Sequence, residues 1–204
     1  MRDRLLIGAL IAVTLLMVAA PLYAFDDERR GFVIGFGLGS GMLNQTTDVT
    51  GTIPPVSSSV FTPDKTQVTI TTSFKVGYAP SNRLAIYYLQ NVAWDRTTDN
   101  NEVTWGMNGL GGIGASFYFG PQARSFYVLG AYGFSTWTAP FEEQNEHTKT
   151  WFGNGTAFGG GWEFADHLSL EVTGMWGNPT KSGTGWDGSI DSFSVLVLFQ
   201  TLAY

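Results

Sequence analysis

Residues 68–78 read VTITTSFKVGY, and this segment decides how the rest of the chain is interpreted. Its even positions, from Val68 to Tyr78, are apolar apart from Thr72, whereas its odd positions carry threonine, serine, glycine and Lys75. Successive side chains of a β-strand point to opposite faces, so a period of two predicts a strand with one apolar and one polar face. The only charge of the segment belongs to the polar face.

The same alternation recurs in residues 31–39 (GFVIGFGLG) and 168–176 (LSLEVTGMW). It predicts eight strands, at approximately 30–40, 66–78, 83–94, 103–119, 125–137, 150–164, 167–177 and 192–204. Alternation is weaker in the fifth, sixth and eighth strands, and their register stays open. No helical periodicity is present, so we expect an all-β protein.

The predicted connections alternate in length. Short turns lie at 79–82, 120–124 and 165–166, and long, net acidic loops lie at 41–65, 95–102, 138–149 and 178–191. An even number of strands with short turns at one end and long loops at the other is typical of outer-membrane barrels. We therefore predict a closed, antiparallel, up-and-down transmembrane β-barrel of eight strands. Residues 62–65 (TPDK) read as a turn, which leaves ten strands as an alternative.

The placement of charge distinguishes this barrel from a soluble one. Charged residues make up 14% of the chain, against about 25% in ordinary soluble domains. After residue 24, only Lys75, Glu163 and Glu171 fall inside predicted strands, and all other charges fall in the N-terminal tail, the turns, the loops or their edges. A lipid-facing charge near the bilayer midplane costs ~2–4 kcal/mol, whereas the wall of a lipocalin or soluble sandwich would be charged. The pattern favours a wall that faces lipid.

Aromatic side chains collect at the predicted strand ends, which indicates belts at the two membrane interfaces. The belt beside the long loops comprises Trp94, Trp105, Trp137, Trp151 and Trp176, and the belt beside the short turns and the C-terminus comprises Tyr78, Phe119, Phe126, Phe164 and Tyr204.

The first 24 residues have the layout of a secretory signal peptide. Arg2 and Arg4 precede an apolar run from Leu5 to Ala20, and a small residue, Ala24, stands at the expected cleavage site. Sixteen residues span roughly 24 Å as a helix, which is short of the ~30 Å hydrocarbon core, so we favour cleavage over an uncleaved membrane helix. Residues 1–24 are predicted to be the signal and residues 25–204 the barrel.

We expect the inward-facing charges to form an ionic cluster within the lumen. Lys75, Glu163 and Glu171 all lie a few residues from a short turn, and the position of Arg83 also gives it inward parity. Buried charges must be paired, because desolvation costs several kcal/mol per ion. Such a cluster either plugs the barrel or lines a narrow, gated ion path.

The chain resembles the small outer-membrane β-barrel proteins of Gram-negative bacteria, the broad class related to outer-membrane proteins A, X and W. The matching stretches are 31–39, the glycine-rich residues 158–164 (FGGGWEF) and residues 165–171 (ADHLSLE). The resemblance implies residence in the bacterial outer membrane with lipid and lipopolysaccharide as neighbours. It also implies that the terminal aromatic residue, Tyr204, is read by the barrel-assembly machinery, although Phe199 and Gln200 disturb the usual C-terminal alternation.

Catalytic and metal motifs are weak. His167-Leu168-Ser169 resembles the short string of barrel enzymes that deacylate lipid A, but it adjoins a periplasmic turn, whereas lipid A lies in the outer leaflet. His147 lies in an acidic loop with Glu142, Glu143 and Glu146, where a metal site is an alternative to a solvated loop. With no cysteine and a net charge of −6, thiolate sites are excluded and a nucleic-acid partner is disfavoured.

We therefore expect a monomeric, non-enzymatic outer-membrane barrel without cofactor or metal, in a structural or interaction role through its acidic loops. The alternatives are a narrow porin-like channel or a conduit for small hydrophobic molecules, and then a lipid A-modifying enzyme.

Overall fold

In a computed structural model, which describes residues 29–51, 65–99, 102–122, 124–141 and 149–204, the chain forms a closed β-barrel. Its strands are β1 (Gly31–Gly51), β2 (Lys65–Ser81), β3 (Leu84–Asp99), β4 (Glu102–Tyr118), β5 (Phe126–Thr138), β6 (Trp151–Ala165), β7 (Leu168–Gly183) and β8 (Trp186–Ala203). The predicted signal peptide lies outside the described residues.

Every strand pairs antiparallel with the next, and β1 pairs with β8 to close the barrel. The β1–β8 ladder runs from Ile34 opposite Ala203 to Gly51 opposite Trp186. Closure pairs the edge strands, which matters in lipid because unpaired backbone groups there cost several kcal/mol each. The predicted eight-stranded, all-β barrel is confirmed. The ten-stranded alternative is wrong, because the barrel closes with eight strands.

Side chains alternate between a buried lumen face and an exposed outer face. The outer face is apolar, as Val68 and Ile113 show with 76% and 73% of their surface exposed. The same face carries Leu38, Ile70, Ile86, Val128, Phe158, Leu170, Val172 and Val197. A water-facing barrel would have the reverse arrangement. Among the described residues, no helix is long and apolar enough to cross a membrane.

Several segments predicted to be loops are strand. Residues 95–99 continue β3 and β4 begins at Glu102, so the predicted loop at 95–102 is wrong for all but the two residues that are not described. The loop predicted at 178–191 is also wrong, because β7 and β8 extend through it to a tight turn at 184–185. The polar residues of these segments predicted loops, but they pair with the neighbouring strand instead. An apolar face is not required there, because these strand ends lie beyond the bilayer.

Other loop predictions fall mostly on residues that are not described. β1 continues to Gly51, and residues 52–64, with most of the proposed 62–65 turn, lie outside the described part of the chain. The same holds for residues 142–148 of the loop predicted at 138–149.

The lumen contains its own apolar core, which explains why the parity of β8 was ambiguous. Leu196 and Leu198 point inward and are fully buried, while Val195 and Val197 point outward and are 37% and 44% exposed. When both faces of a strand are apolar, hydropathy does not reveal which face is which. Leu89, Leu110 and Leu129 from β3, β4 and β5 complete this core.

Candidate functional site

An ion pair crosses the lumen between strands that are not neighbours. Lys75 on β2 and Glu171 on β7 both point inward, and Lys75 Nζ lies 2.5 Å from Glu171 Oε2. The two side chains are almost fully buried. Since β1 and β8 separate β2 from β7 in the barrel wall, this contact ties two non-adjacent strands of the wall together.

Glu171 is the centre of this arrangement and accepts further hydrogen bonds. Tyr127 Oη donates to Oε2 at 2.8 Å, and Gln200 Nε2 and Thr173 Oγ1 donate to Oε1 at 2.8 and 3.1 Å. Together with Lys75, these donors satisfy both carboxylate oxygens. A buried ion pair becomes tolerable when its remaining lone pairs are satisfied in this way.

A second ion pair closes the lower end of the barrel, which carries the β2–β3, β4–β5 and β6–β7 turns. Arg29, just before β1, contacts Glu163 of β6, with Arg29 Nη2 2.6 Å from Glu163 Oε2. Arg29 Nη1 also donates to the carbonyl oxygens of Asn82 and Gly120, and Nη2 donates to that of Gln122. One guanidinium therefore joins a carboxylate to backbone groups of the β2–β3 and β4–β5 turns.

Tyr204 completes this contact from the C-terminus. Its hydroxyl donates to Glu163 Oε1 at 2.5 Å, and its ring lies 4.5 Å from that of His167 between centroids. Burial, followed by the hydrogen bond to Glu163, raises the pKa of Tyr204 above its ordinary value, so the hydroxyl keeps its proton. Tyr204 was predicted to lie in an interface belt. That prediction is wrong, because the side chain turns inward to satisfy a buried carboxylate.

Two tyrosine rings in contact connect the two ion pairs into one cluster, which we call the lower ionic network. The Arg29 guanidinium carbon lies 4.1 Å from the centroid of the Tyr118 ring, and this ring lies 4.9 Å from that of Tyr127, which bonds Glu171. A cavity of only about 10 Å³ remains beside Lys75 and Ser169, which is room for about one water molecule. The network fills the lower lumen.

Sequence reasoning identified three of these charges and missed the fourth. The structure brings Lys75, Glu163 and Glu171 into the lower lumen, but Arg83 lies in the β2–β3 turn with its side chain exposed. Its inclusion in the cluster is wrong, and Arg29 stands in its place. Arg29 precedes the first strand, where no alternation indicates the direction of a side chain.

Tryptophans fill the opposite end of the lumen. Trp137, Trp151 and Trp186 point inward and are 4%, 0% and 3% exposed. The ring of Trp151 lies 6.0 Å from that of Trp137 and 5.7 Å from that of Trp186, between centroids. We call these three residues, with Ile190 packed against them, the upper tryptophan cluster.

This cluster corrects the predicted outer belt, since Trp137 and Trp151 do not face lipid. Both belong to strands with weak alternation, and their inward parity follows from pairing with neighbouring strands. The other predicted belt residues lie on the outer face: Trp94, Trp105, Trp176, Tyr78, Phe119, Phe126 and Phe164.

The proposed deacylase string occupies the β6–β7 turn and the start of β7. His167 has a left-handed backbone (φ 64°), and its Nδ1 lies 3.0 Å from the carbonyl oxygen of Leu202. The Ser169 hydroxyl lies 3.3 Å from that of Tyr127, within the lower ionic network. His147 and its acidic neighbours lie outside the described residues. Within the described ranges, no group of three or more metal-ligating side chains is present.

We expect the Arg29→Ala substitution to lower the free energy of unfolding by about 3 kcal/mol, because it leaves the buried Glu163 carboxylate without its cation, although Tyr204 still donates to that carboxylate. Arg83→Ala is the matched control and should change stability by no more than about 0.5 kcal/mol, as expected for an exposed side chain. Urea-induced unfolding in lipid vesicles measures both effects. Equal effects would show that Arg29 does not hold the lower lumen.

Neither a family model nor a curated protein sequence matches this chain. Its structure is similar to that of the outer-membrane protein OprG from Pseudomonas aeruginosa, with a TM-score of 0.50, 10% sequence identity and coverage of 86% of this chain and 97% of OprG. The fold is that of the small outer-membrane β-barrels.

Two further small outer-membrane barrels have lower similarity scores. Ail, the attachment invasion locus protein of Yersinia pestis, has a TM-score of 0.45 and 8% identity, covering 83% of this chain and 99% of Ail. Neisserial surface protein A has a TM-score of 0.45 and 14% identity, covering 82% of this chain and 96% of that protein. At such identities the similarity concerns the fold.

Proposed function

We propose that this protein is an integral, non-enzymatic barrel of the bacterial outer membrane whose lumen is sealed, and that it acts through its surface as a structural or interaction protein. The observation that carries the proposal is the filling of the lumen at two levels. The lower ionic network occupies one end, and the upper tryptophan cluster occupies the other. The apolar core of Leu89, Leu196 and Leu198 lies inside the same lumen.

The outer face supports the membrane placement. Large apolar side chains cover it over the height of the wall, and closure of the sheet satisfies the backbone without water. The proposal includes a monomer that has lipid and lipopolysaccharide as neighbours, an acidic outer end formed by loops and extended strand ends, no cofactor and no nucleic-acid partner. The hydroxyl of Ser169 belongs to the lower ionic network, which favours a structural role for this serine over a nucleophilic one.

The buried position of Tyr204, directly after β8, bears on the stage of folding at which the barrel-assembly machinery would act. In the closed barrel Tyr204 is 3% exposed and bonded to Glu163. We propose that the machinery reads the β8 strand before closure, and that closure then transfers Tyr204 to its inward partner.

Conductance distinguishes a sealed barrel from a narrow channel. We expect purified, folded protein in a planar lipid bilayer to show no steady conductance, because the lower ionic network and the upper tryptophan cluster occupy the lumen at two levels. Folding is verified beforehand by the change in gel mobility between unheated and boiled samples. Phe152→Ala, which removes an outward-facing ring, is the control and should be equally silent. Steady conductance in both proteins would overturn the sealed lumen and favour the channel.

A further inference from the structure

A groove crosses the outer face of β6, β7, β8 and β1 near the upper end of the lipid-facing wall, and we call it the outer groove. Its lower row is set by strand register: Trp176 lies opposite both Phe193 and Thr156, and Phe193 lies opposite Asn44. The rings of Trp176 and Phe193 are 4.9 Å apart between centroids. This row presents a broad aromatic surface with a polar side chain at each end.

The upper row of the groove is entirely polar. Asn178 lies opposite Asn154, Asp191 lies opposite Thr46, and the Asn178 side-chain amide donates to the Asp191 carboxylate. Polar side chains of three types thus stand directly above the aromatic pair, on adjacent strands and on the outer face.

The sheet is locally interrupted beside the groove. The β7–β8 ladder is interrupted between Gly177 opposite Ser192 and Thr180 opposite Ser189, where Pro179 has no N–H to donate. The groove has a volume of about 410 Å³, which lies within the range of small-ligand sites.

The height of the groove corresponds to the headgroup region of the outer leaflet. β7 starts at Leu168, and a strand crosses a bilayer in about 9–11 residues, so Trp176 lies at the upper interface and the polar row lies just above it. On the β5 side the polar row ends at Phe134, which lies opposite Asn154, whereas on the β2 side Thr66 lies opposite Asn44 and accepts a hydrogen bond from its side-chain amide. The polar patch is therefore bounded by an aromatic ring on one side and continues onto β2 on the other.

We propose that the outer groove binds a sugar ring in the headgroup of an outer-leaflet glycolipid. An aromatic surface suits the C–H face of a sugar ring, and planar amides and a carboxylate suit its hydroxyl groups. Among the described residues, no lysine or arginine lines the groove, and Asp191 would repel a phosphate. The chemistry therefore selects the saccharide and not the anionic part of the lipid. This inference rests on the proposed outer-membrane placement.

The test uses the folded protein in a neutral detergent and rough lipopolysaccharide, which carries lipid A with core sugars, as the probe. Binding is measured by thermophoresis, with phosphatidylglycerol as an anionic lipid that lacks a sugar. We expect Trp176→Ala and Asn154→Ala each to weaken binding at least about tenfold, the loss expected for one well-formed contact. Gln90→Ala, a polar outward-facing residue on β3, is the control and should bind as the parent does.

Each variant must first show the heat-dependent gel shift of a folded barrel. Equal binding by the parent and both groove variants would overturn the proposal, and so would binding of phosphatidylglycerol in preference to lipopolysaccharide. These outcomes leave the proposed function untouched. That function fails separately if the parent shows no heat-dependent shift and fractionates away from the outer membrane.

Discussion

Glu171→Ala is expected to lower the free energy of unfolding by about 3–5 kcal/mol, the typical cost of removing one partner of a buried ion pair. The substitution leaves the Lys75 ammonium in the lumen without its carboxylate, from which it is 2.5 Å away. It also removes the acceptor for Tyr127 and Gln200. The unfolded chain hydrates the same groups without penalty, so the loss falls on the folded state.

A double replacement separates the charge from the space it fills. Lys75→Met combined with Glu171→Leu removes both charges and keeps similar volumes, and replacing a complete buried pair by apolar residues is often neutral or stabilising. We expect the double variant to be clearly more stable than Glu171→Ala. Urea-induced unfolding in lipid vesicles provides both values. A double variant as unstable as the single one would mean that packing, and not the unpaired lysine, causes the loss.

Trp151→Ala is the second large expected effect, with a loss of about 3–5 kcal/mol, as for other buried aromatic residues that are truncated to alanine. Trp151 is fully buried and lies between Trp137 and Trp186 in the upper tryptophan cluster. Its removal leaves a cavity that rigid barrel walls close poorly.

The next residue along β6 provides a matched control for this substitution. Phe152 points to the opposite face and is 59% exposed, so Phe152→Ala opens no cavity in the lumen and should cost considerably less. The same urea titration compares the two variants. A loss for Phe152→Ala as large as that for Trp151→Ala would show that the upper lumen is not packed as described.

The lower ionic network and the upper tryptophan cluster are stabilised by different interactions. The lower ionic network depends on charge pairing across non-adjacent strands, so it responds strongly to the removal of one partner. The upper tryptophan cluster depends on buried area and shape, so its response follows the volume removed. Both must be intact for the proposed sealed state.

Much of the fold was predictable because lipid imposes strict rules on a sequence. The alternation around Lys75 and Glu171 indicated which face avoids charge, and both residues do point inward. The outward positions of Tyr78, Phe126 and Trp176 followed from the same reasoning. In β8 both faces are apolar, so hydropathy did not indicate which side chains point into the lumen.

Other features depend on the chain as a whole. Arg29 belongs to no strand, and its partners come from β6 and from two turns that are distant in sequence. Trp137 and Trp151 were assigned to an interface belt because they end predicted strands, but the strand pairing turns them inward. Asn178 and Asp191 were assigned to a loop, whereas the extended β7 and β8 place them in the outer groove.

By itself, the sequence determined the all-β class, the lipid-facing wall and the inward charges Lys75, Glu163 and Glu171, because hydrophobic burial and the cost of charge in lipid act on each position locally. Only the tertiary structure decided which charges pair, which tryptophans fill the lumen and where the outer groove lies. Those contacts join strands that are far apart along the chain, and their partners are set by the register and stagger with which a closed barrel brings its strands together.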